Sequence, residues 1–142
     1  MRRRGAAAVS CAAVLAAAGC GEDQQFIDDY NEAMKPLQDV QQTIAGTEPD
    51  APDAGPRYLR LADKSKKVND DLADLDAPDD ARADFDRLKA ALRKREQTFR
   101  DLAREATDAD GIAAFTDAQE AITRDSLQID KAENAVKRKV ED

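Results

Sequence analysis

Apolar residues recur along most of this chain in steps of three and four, the spacing that lines one face of an α-helix. A first stripe runs through Phe26, Tyr30, Ala33, Leu37, Val40 and Ile44. A second runs through Tyr58, Leu61, Ser65, Val68, Leu72 and Leu75. A third takes Phe85, Leu88, Leu92, Arg95, Phe99, Leu102 and Ala106. The fourth takes Ile112, Phe115, Gln119, Ile122, Ser126, Ile129, Glu133, Val136 and Val140. It differs from the others: every seventh residue from Phe115 is large and apolar, and most positions between them are polar. No segment alternates with the period of two that a half-buried strand requires.

The breaks between stripes divide the chain further. Residues 47–56, TEPDAPDAGP, hold three prolines, one glycine and three acids. They read as a stiff, extended Pro/Asp-rich linker with no helix. Pro36 falls inside the first stripe and is expected to kink that helix or split it in two, because it removes one backbone bond and crowds the preceding turn. The stretch LDAPDD makes a short turn after the second stripe. There Asp76 or Ala77 is expected to cap the third helix, with Pro78, Asp79 and Asp80 in its first turn. So short a turn makes helices two and three antiparallel neighbours. Asp108 to Gly111, DADG, ends the third stripe, and a new helix starts after it. The third and fourth helices are expected to reach ~30 residues each, or ~45 Å at 1.5 Å per residue.

Charge agrees with this division. In the third segment the acids come early (Asp79, Asp80, Asp84, Asp86) and the bases late (Arg93, Lys94, Arg95, Arg100, Arg104). That order complements the helix dipole. Glu96–Arg100, Glu120–Arg124 and Glu133–Lys137 are acid-first pairs four residues apart, each worth a few tenths of a kcal/mol. The expected fold is all-α: an elongated antiparallel up-and-down helical bundle of three to four helices over residues 26–142. The number depends on whether helix 26–46 docks.

The first 20 residues belong to a different pattern. Arg2, Arg3 and Arg4 precede an uncharged run from Gly5 to Ala18 and then small residues up to Cys20. A basic start, a short apolar core and a small-residue zone make residues 1–19 a secretory signal peptide. The run is short of the roughly 20 residues of a membrane span. Ala16-Ala17-Ala18 also fits the A-x-A site of ordinary secretion. Ala17, Ala18, Gly19 and Cys20, in this setting, resemble the lipobox of bacterial lipoproteins, with Ala17 standing where that family most often has leucine. The resemblance covers residues 1–20. It implies cleavage before Cys20 and a diacylglycerol on the Cys20 thiol. It also implies an exported protein anchored at the outer face of the cell membrane. Gly21 would direct it to the outer membrane in a Gram-negative cell. Residues 20–25 then form a lipidated polar tether.

Removal of residues 1–19 takes away three arginines and no acid, leaving 123 residues with 19 basic and 30 acidic groups and a net charge of −11. Such a chain is a poor candidate for nucleic-acid binding, and anionic headgroups are expected to repel it. Cys20 is then the sole cysteine, so no intramolecular disulfide can form. The chain has no histidine, which removes the usual general base, the histidine-activated nucleophiles and most transition-metal sites.

The remaining candidates are weak as chemistry. DADG resembles the middle of an EF-hand loop, but the first ligand position would be Ala106 and the last Asp117. Asp28–Asp29, Asp70–Asp71 and Asp79–Asp80 are adjacent on helices, about 100° apart, so the members of a pair diverge. All six aromatics lie on the stripes and read as core.

Polar residues interrupt the apolar seams of the third and fourth helices: Arg95, Gln119, Ser126 and Glu133. A hairpin turning near residue 109 would set Phe99 near Gln119, Arg95 near Ile122 and Leu92 near Ser126. This polar seam is either a lining for a ligand or partner helix, or a device that fixes register, or simple partial exposure in a thin bundle. No catalytic set, metal ligands or cofactor beyond the diacylglycerol is expected. The expected role is a non-catalytic interaction or spacer module, with the membrane and another envelope protein or a second copy as partners. The alternative is a module holding a small apolar or amphipathic ligand in a cavity lined by Leu92, Phe99, Gln119 and Ile122. Leu, Ile, Val and Phe are 22 of the 123 residues. That lies just below the level of about 20% at which a highly charged chain tends to disorder, so the core is expected to be thin.

Overall fold

Each stripe forms a helix. In the computed structural model, which describes residues 19–45, 51–106 and 112–141, they are α1 (Gly19–Ala45), α2 (Ala54–Ala73), α3 (Arg82–Glu105) and α4 (Ile112–Glu141). The described residues contain no strand and form an antiparallel four-helix bundle. α2 packs on both α1 and α3, and α4 packs on α3. At 30 residues α4 is about 45 Å long, which makes the bundle elongated.

The apolar stripes meet in one core. At one end Phe85 of α3 packs edge-on to Phe26 of α1, with ring centres 5.5 Å apart, and lies 6.3 Å from Tyr30. Further along, Tyr58 of α2 stacks on Phe99 of α3 at 6.4 Å. Leu61, Val68, Leu72, Leu88, Leu92, Ile129 and Val136 fill the layers between and are almost entirely hidden from solvent. Each such side chain contributes about 1.5–3 kcal/mol on burial. Alanine supplies much of the rest: Ala33, Ala54, Ala62, Ala103 and Ala132 are buried. Small residues let helix axes approach closely, so a chain poor in branched aliphatics still closes a core. Helix 26–46 does dock, through Phe26, Tyr30, Ala33, Met34, Leu37 and Val40.

Several boundaries differ from the sequence expectations, each for a local reason. α1 starts at Gly19, so residues 20–25, expected as a polar tether, lie in its first turns. Glu22 and Asp23 are acids at a positive helix end, Gln24 and Gln25 are good helix formers, and no proline lies among them. α1 also runs unbroken through Pro36. Buried Ala33 and Met34 before it, and buried Leu37 and Val40 after it, hold both halves against the same core. The linker ends earlier than expected, because α2 begins at Ala54 and takes in Pro56 as its third residue. Proline is tolerated there, since the first N–H groups of a helix have no partner inside it. Residues 47–50 of that linker lie outside the described residues.

α3 begins later than expected. Neither Asp76 nor Ala77 caps it. Residues 78–81 form a turn in which the Ala81 N–H donates to the Pro78 carbonyl at 3.0 Å, and the helix starts at Arg82. Ala77 and Ala81 are buried, so the core holds this segment in a non-helical path that local preference alone would not choose. α3 is therefore 24 residues long, about 36 Å, and not ~30. The DADG break falls outside the described residues.

Candidate functional site

α3 carries a buried charge. Arg95 is only 2% exposed, on the same helix face as Leu88, Leu92 and Phe99. Its guanidinium lies 5.6 Å from the Phe99 ring centre, within cation–π range. Burial lowers its pKa from the usual arginine value, and the negative charges of Asp130 and Asp125 oppose that shift. Guanidinium remains charged across any ordinary pH, so the cost of burial is carried by those carboxylates and by the ring. Nε and Nη2 have no hydrogen-bond partner.

Across the α3–α4 seam stands Asp125, 1% exposed. Its Oδ2 accepts a hydrogen bond from the Thr98 hydroxyl at 2.5 Å, and its Oδ1 lies 3.7 Å from Lys94 Nζ. Lys94 keeps its stem against the bundle and its head near water, which allows the pair to bridge core and surface. Two α2 side chains add to the buried polar groups: Ser65 Oγ and Asn69 Oδ1, both without a partner. A further hydroxyl, Tyr30 Oη, is buried beside the aromatic layer and unpartnered. Burial, and then the nearby Glu133 charge, push the Tyr30 pKa up from 10.0.

The four residues expected as a polar seam therefore part company. Arg95 is in the core. Gln119 is exposed. Ser126 is half-buried. Glu133 is half-buried and held by Lys137 at 2.6 Å. The buried line on α4 is Ile122, Asp125, Ile129, Ala132 and Val136. It shares the heptad isoleucines and valine with the expected stripe, but takes the neighbour on the other side: Asp125 for Ser126, Ala132 for Glu133. Sequence reasoning missed Asp125 because an aspartate in a helix ordinarily faces water. The available signal was Thr98, a hydroxyl placed to satisfy it from α3. The expected hairpin register is close to the observed one: Lys94 and Thr98 both meet Asp125.

Elsewhere the carboxylates are occupied separately. Asp70 pairs with Lys66 and Asp71 with Lys67, so this adjacent pair serves two exposed ion pairs and not one site. Glu96–Arg100 and Glu133–Lys137 form as the sequence suggests, whereas Glu120–Arg124 is not among the ion pairs of the described residues. Among the described residues no three potential metal ligands converge.

Of the N-terminal features, Ala17 and Ala18 lie outside the described residues. Gly19 and Cys20 open α1. No helix among the described residues is long and apolar enough to cross a membrane. Compared with protein-family models, curated proteins and solved structures, the chain matches none of them.

Proposed function

We propose that this protein is a bacterial envelope lipoprotein, attached through Cys20, whose helical bundle is a non-catalytic interaction module. The observation that carries the reading is Cys20 itself. It ends a basic and apolar leader, follows Ala17-Ala18-Gly19, and is the last cysteine in the chain. Two acyl chains at ~0.8 kcal/mol per buried methylene exceed what stable anchoring needs. The start of α1 at Gly19 adds a mechanical element. Phe26, the first buried residue among those of α1 whose side chains are described, is six residues beyond Cys20, about 9 Å along the helix. The anchor thus joins the bundle through helix, holding it close to the bilayer and upright. The same end carries the α2–α3 turn and the C-terminal end of α4.

The ligand-holding alternative has less support. Leu92 and Phe99 are fully packed, Ile122 is buried, and Gln119 is on the surface, so these four side chains do not open onto a shared space.

Mass spectrometry of the mature N-terminus tests the anchor. The expected species begins at Cys20 and carries a diacylglycerol mass, and Cys20→Ser moves the protein from the membrane to the soluble fraction. An unmodified N-terminus at Gly19 or Cys20 refutes the reading.

A further inference from the structure

The outer groove between α3 and α4 is basic on a protein that is otherwise acidic. It encloses about 550 Å³ and is lined by Arg87 and Lys94 from α3 and by Arg124 and Lys131 from α4, over a floor that includes Ala91 and Ala132. Both cation pairs are seven residues apart, about 10.5 Å along a helix. Because the helices are antiparallel and Lys94 lies beside Asp125, Lys94 stands opposite Arg124, and Arg87 opposite Lys131. The single acid in the lining, Asp84, is already bonded to Arg87. Alanine at the floor leaves room for another helix to approach closely.

α1 has the complementary face. It contains six acids and one lysine. Asp28, Glu32 and Asp39 are exposed and fall within about 40° of one another at 100° per residue, opposite the buried Tyr30 and Leu37. Their partners within the chain, Gln24, Lys35 and Lys64, are surface contacts of little energetic weight. Glu32 and Asp39 repeat the seven-residue spacing of the groove cations.

The heights also match. α1 and α3 run in the same direction, and Phe85 packs between Phe26 and Tyr30. Arg87 is therefore level with about residue 30 of α1, and Lys94 with about residue 37. In a second copy standing at the same height, Glu32 and Asp39 lie within two residues, about 3 Å, of those levels. We infer that the α3–α4 groove receives the acidic outer face of α1 from a second copy of this chain, anchored in the same membrane. The common height rests on the lipid-anchor reading. The contact is head-to-tail, since groove and α1 face are different surfaces, and it builds rows or rings in the membrane plane.

Paired cysteines test this in the full chain. Lys35→Cys marks the α1 face and Gln128→Cys the groove, at nearly equal height, and acylation of Cys20 leaves no other thiol. Membranes from cells making both variants are oxidised and resolved without reductant, and the same membranes are fractionated and their N-termini weighed. The expected result is a disulfide dimer from the two variants together and little from either alone. Arg124→Glu with Lys131→Glu in the groove copy reduces that dimer at least about tenfold, and Glu32→Lys with Asp39→Lys in the other copy restores it. A membrane-bound, lipidated protein with no dimer overturns the contact and leaves the anchor standing. Equal dimer from each single variant overturns the head-to-tail arrangement. A Gln128→Cys adduct heavier than two chains overturns the second copy in favour of another protein. Protein found soluble with an unmodified N-terminus removes the common height and overturns anchor and contact together.

Discussion

The α2–α3 seam and the α3–α4 seam share one helix but bury different chemistry. Toward α2, α3 meets a stack of Tyr58 on Phe99 together with Leu61, Val68 and Leu72, and the two helices are joined by a short turn. Toward α4 the layer is broken by Asp125, which takes a hydrogen bond from Thr98 and lies near Lys94, while Arg95 is buried close by. The first seam is chiefly apolar, although α2 also buries Ser65 and Asn69, and it holds no buried charge. In the second, the hydroxyl and cations of α3 meet Asp125, the buried carboxylate among the described side chains of α4. A slip there strands a buried charge, at a cost of several kcal/mol. The two seams divide the labour: one supplies stability and the other fixes which face of α4 points inward.

The largest test of that division removes the carboxylate. Asp125→Ala leaves Lys94 without its carboxylate, Arg95 with Asp130 as its remaining counter-charge and Thr98 without its acceptor, and is expected to cost about 3–5 kcal/mol by urea unfolding. A loss below 1 kcal/mol would mean that water reaches this layer and that the two seams do not differ. Leu72→Ala cuts the apolar seam, with an expected loss of about 2–4 kcal/mol from transfer and cavity terms. Here the slope of the urea transition should be unchanged, whereas an altered slope would show the seam to be more than simple apolar filling. Thr98→Val separates the hydrogen bond from the charge and should cost about 1 kcal/mol.

The smallest effect at neutral pH belongs to Tyr30→Phe. The hydroxyl it removes is buried and unpartnered, so stability near pH 7 should hold or rise slightly. The difference emerges in alkali. Burial raises the Tyr30 pKa in the folded protein, so above pH 10 the unfolded chain releases a proton that the folded one keeps. Stability is then full below pH 10 and falls as pH rises beyond it. Tyr30→Phe should make that fall shallower, with the similarly raised Tyr58 providing the remainder. Identical alkaline curves for the two proteins would show that Tyr30 ionises freely and that the aromatic end is open to water.

Much of the fold was legible because helix periodicity is a local property. Phe26, Tyr30, Tyr58, Leu72, Phe85, Phe99, Ile129 and Val136 could be placed in the core from spacing alone, and all are there. The ends of elements were less legible. Whether residues 78–81 continue a helix backward from Arg82 depends on Ala77 and Ala81 finding a place in the core, which is a contact with residues far along the chain. The candidate polar site was half legible. Arg95 could be found because it breaks an apolar stripe at a fixed step. Asp125 could not, because stripes through Ser126 and Glu133 or through Asp125 and Ala132 share the same Ile122, Ile129 and Val136.

Near-neighbour spacing and composition were enough to mark the helices, to show where their apolar faces run, and to place Cys20 behind a basic and apolar leader. Tertiary structure decided which of two adjacent residues on α4 is buried, because only α3 supplies the Thr98 hydroxyl and the Lys94 and Arg95 charges that make an inward aspartate tolerable. It also decided that Arg87, Lys94, Arg124 and Lys131 form one basic groove. Their sign is written in the sequence, but their convergence depends on the antiparallel register of two helices.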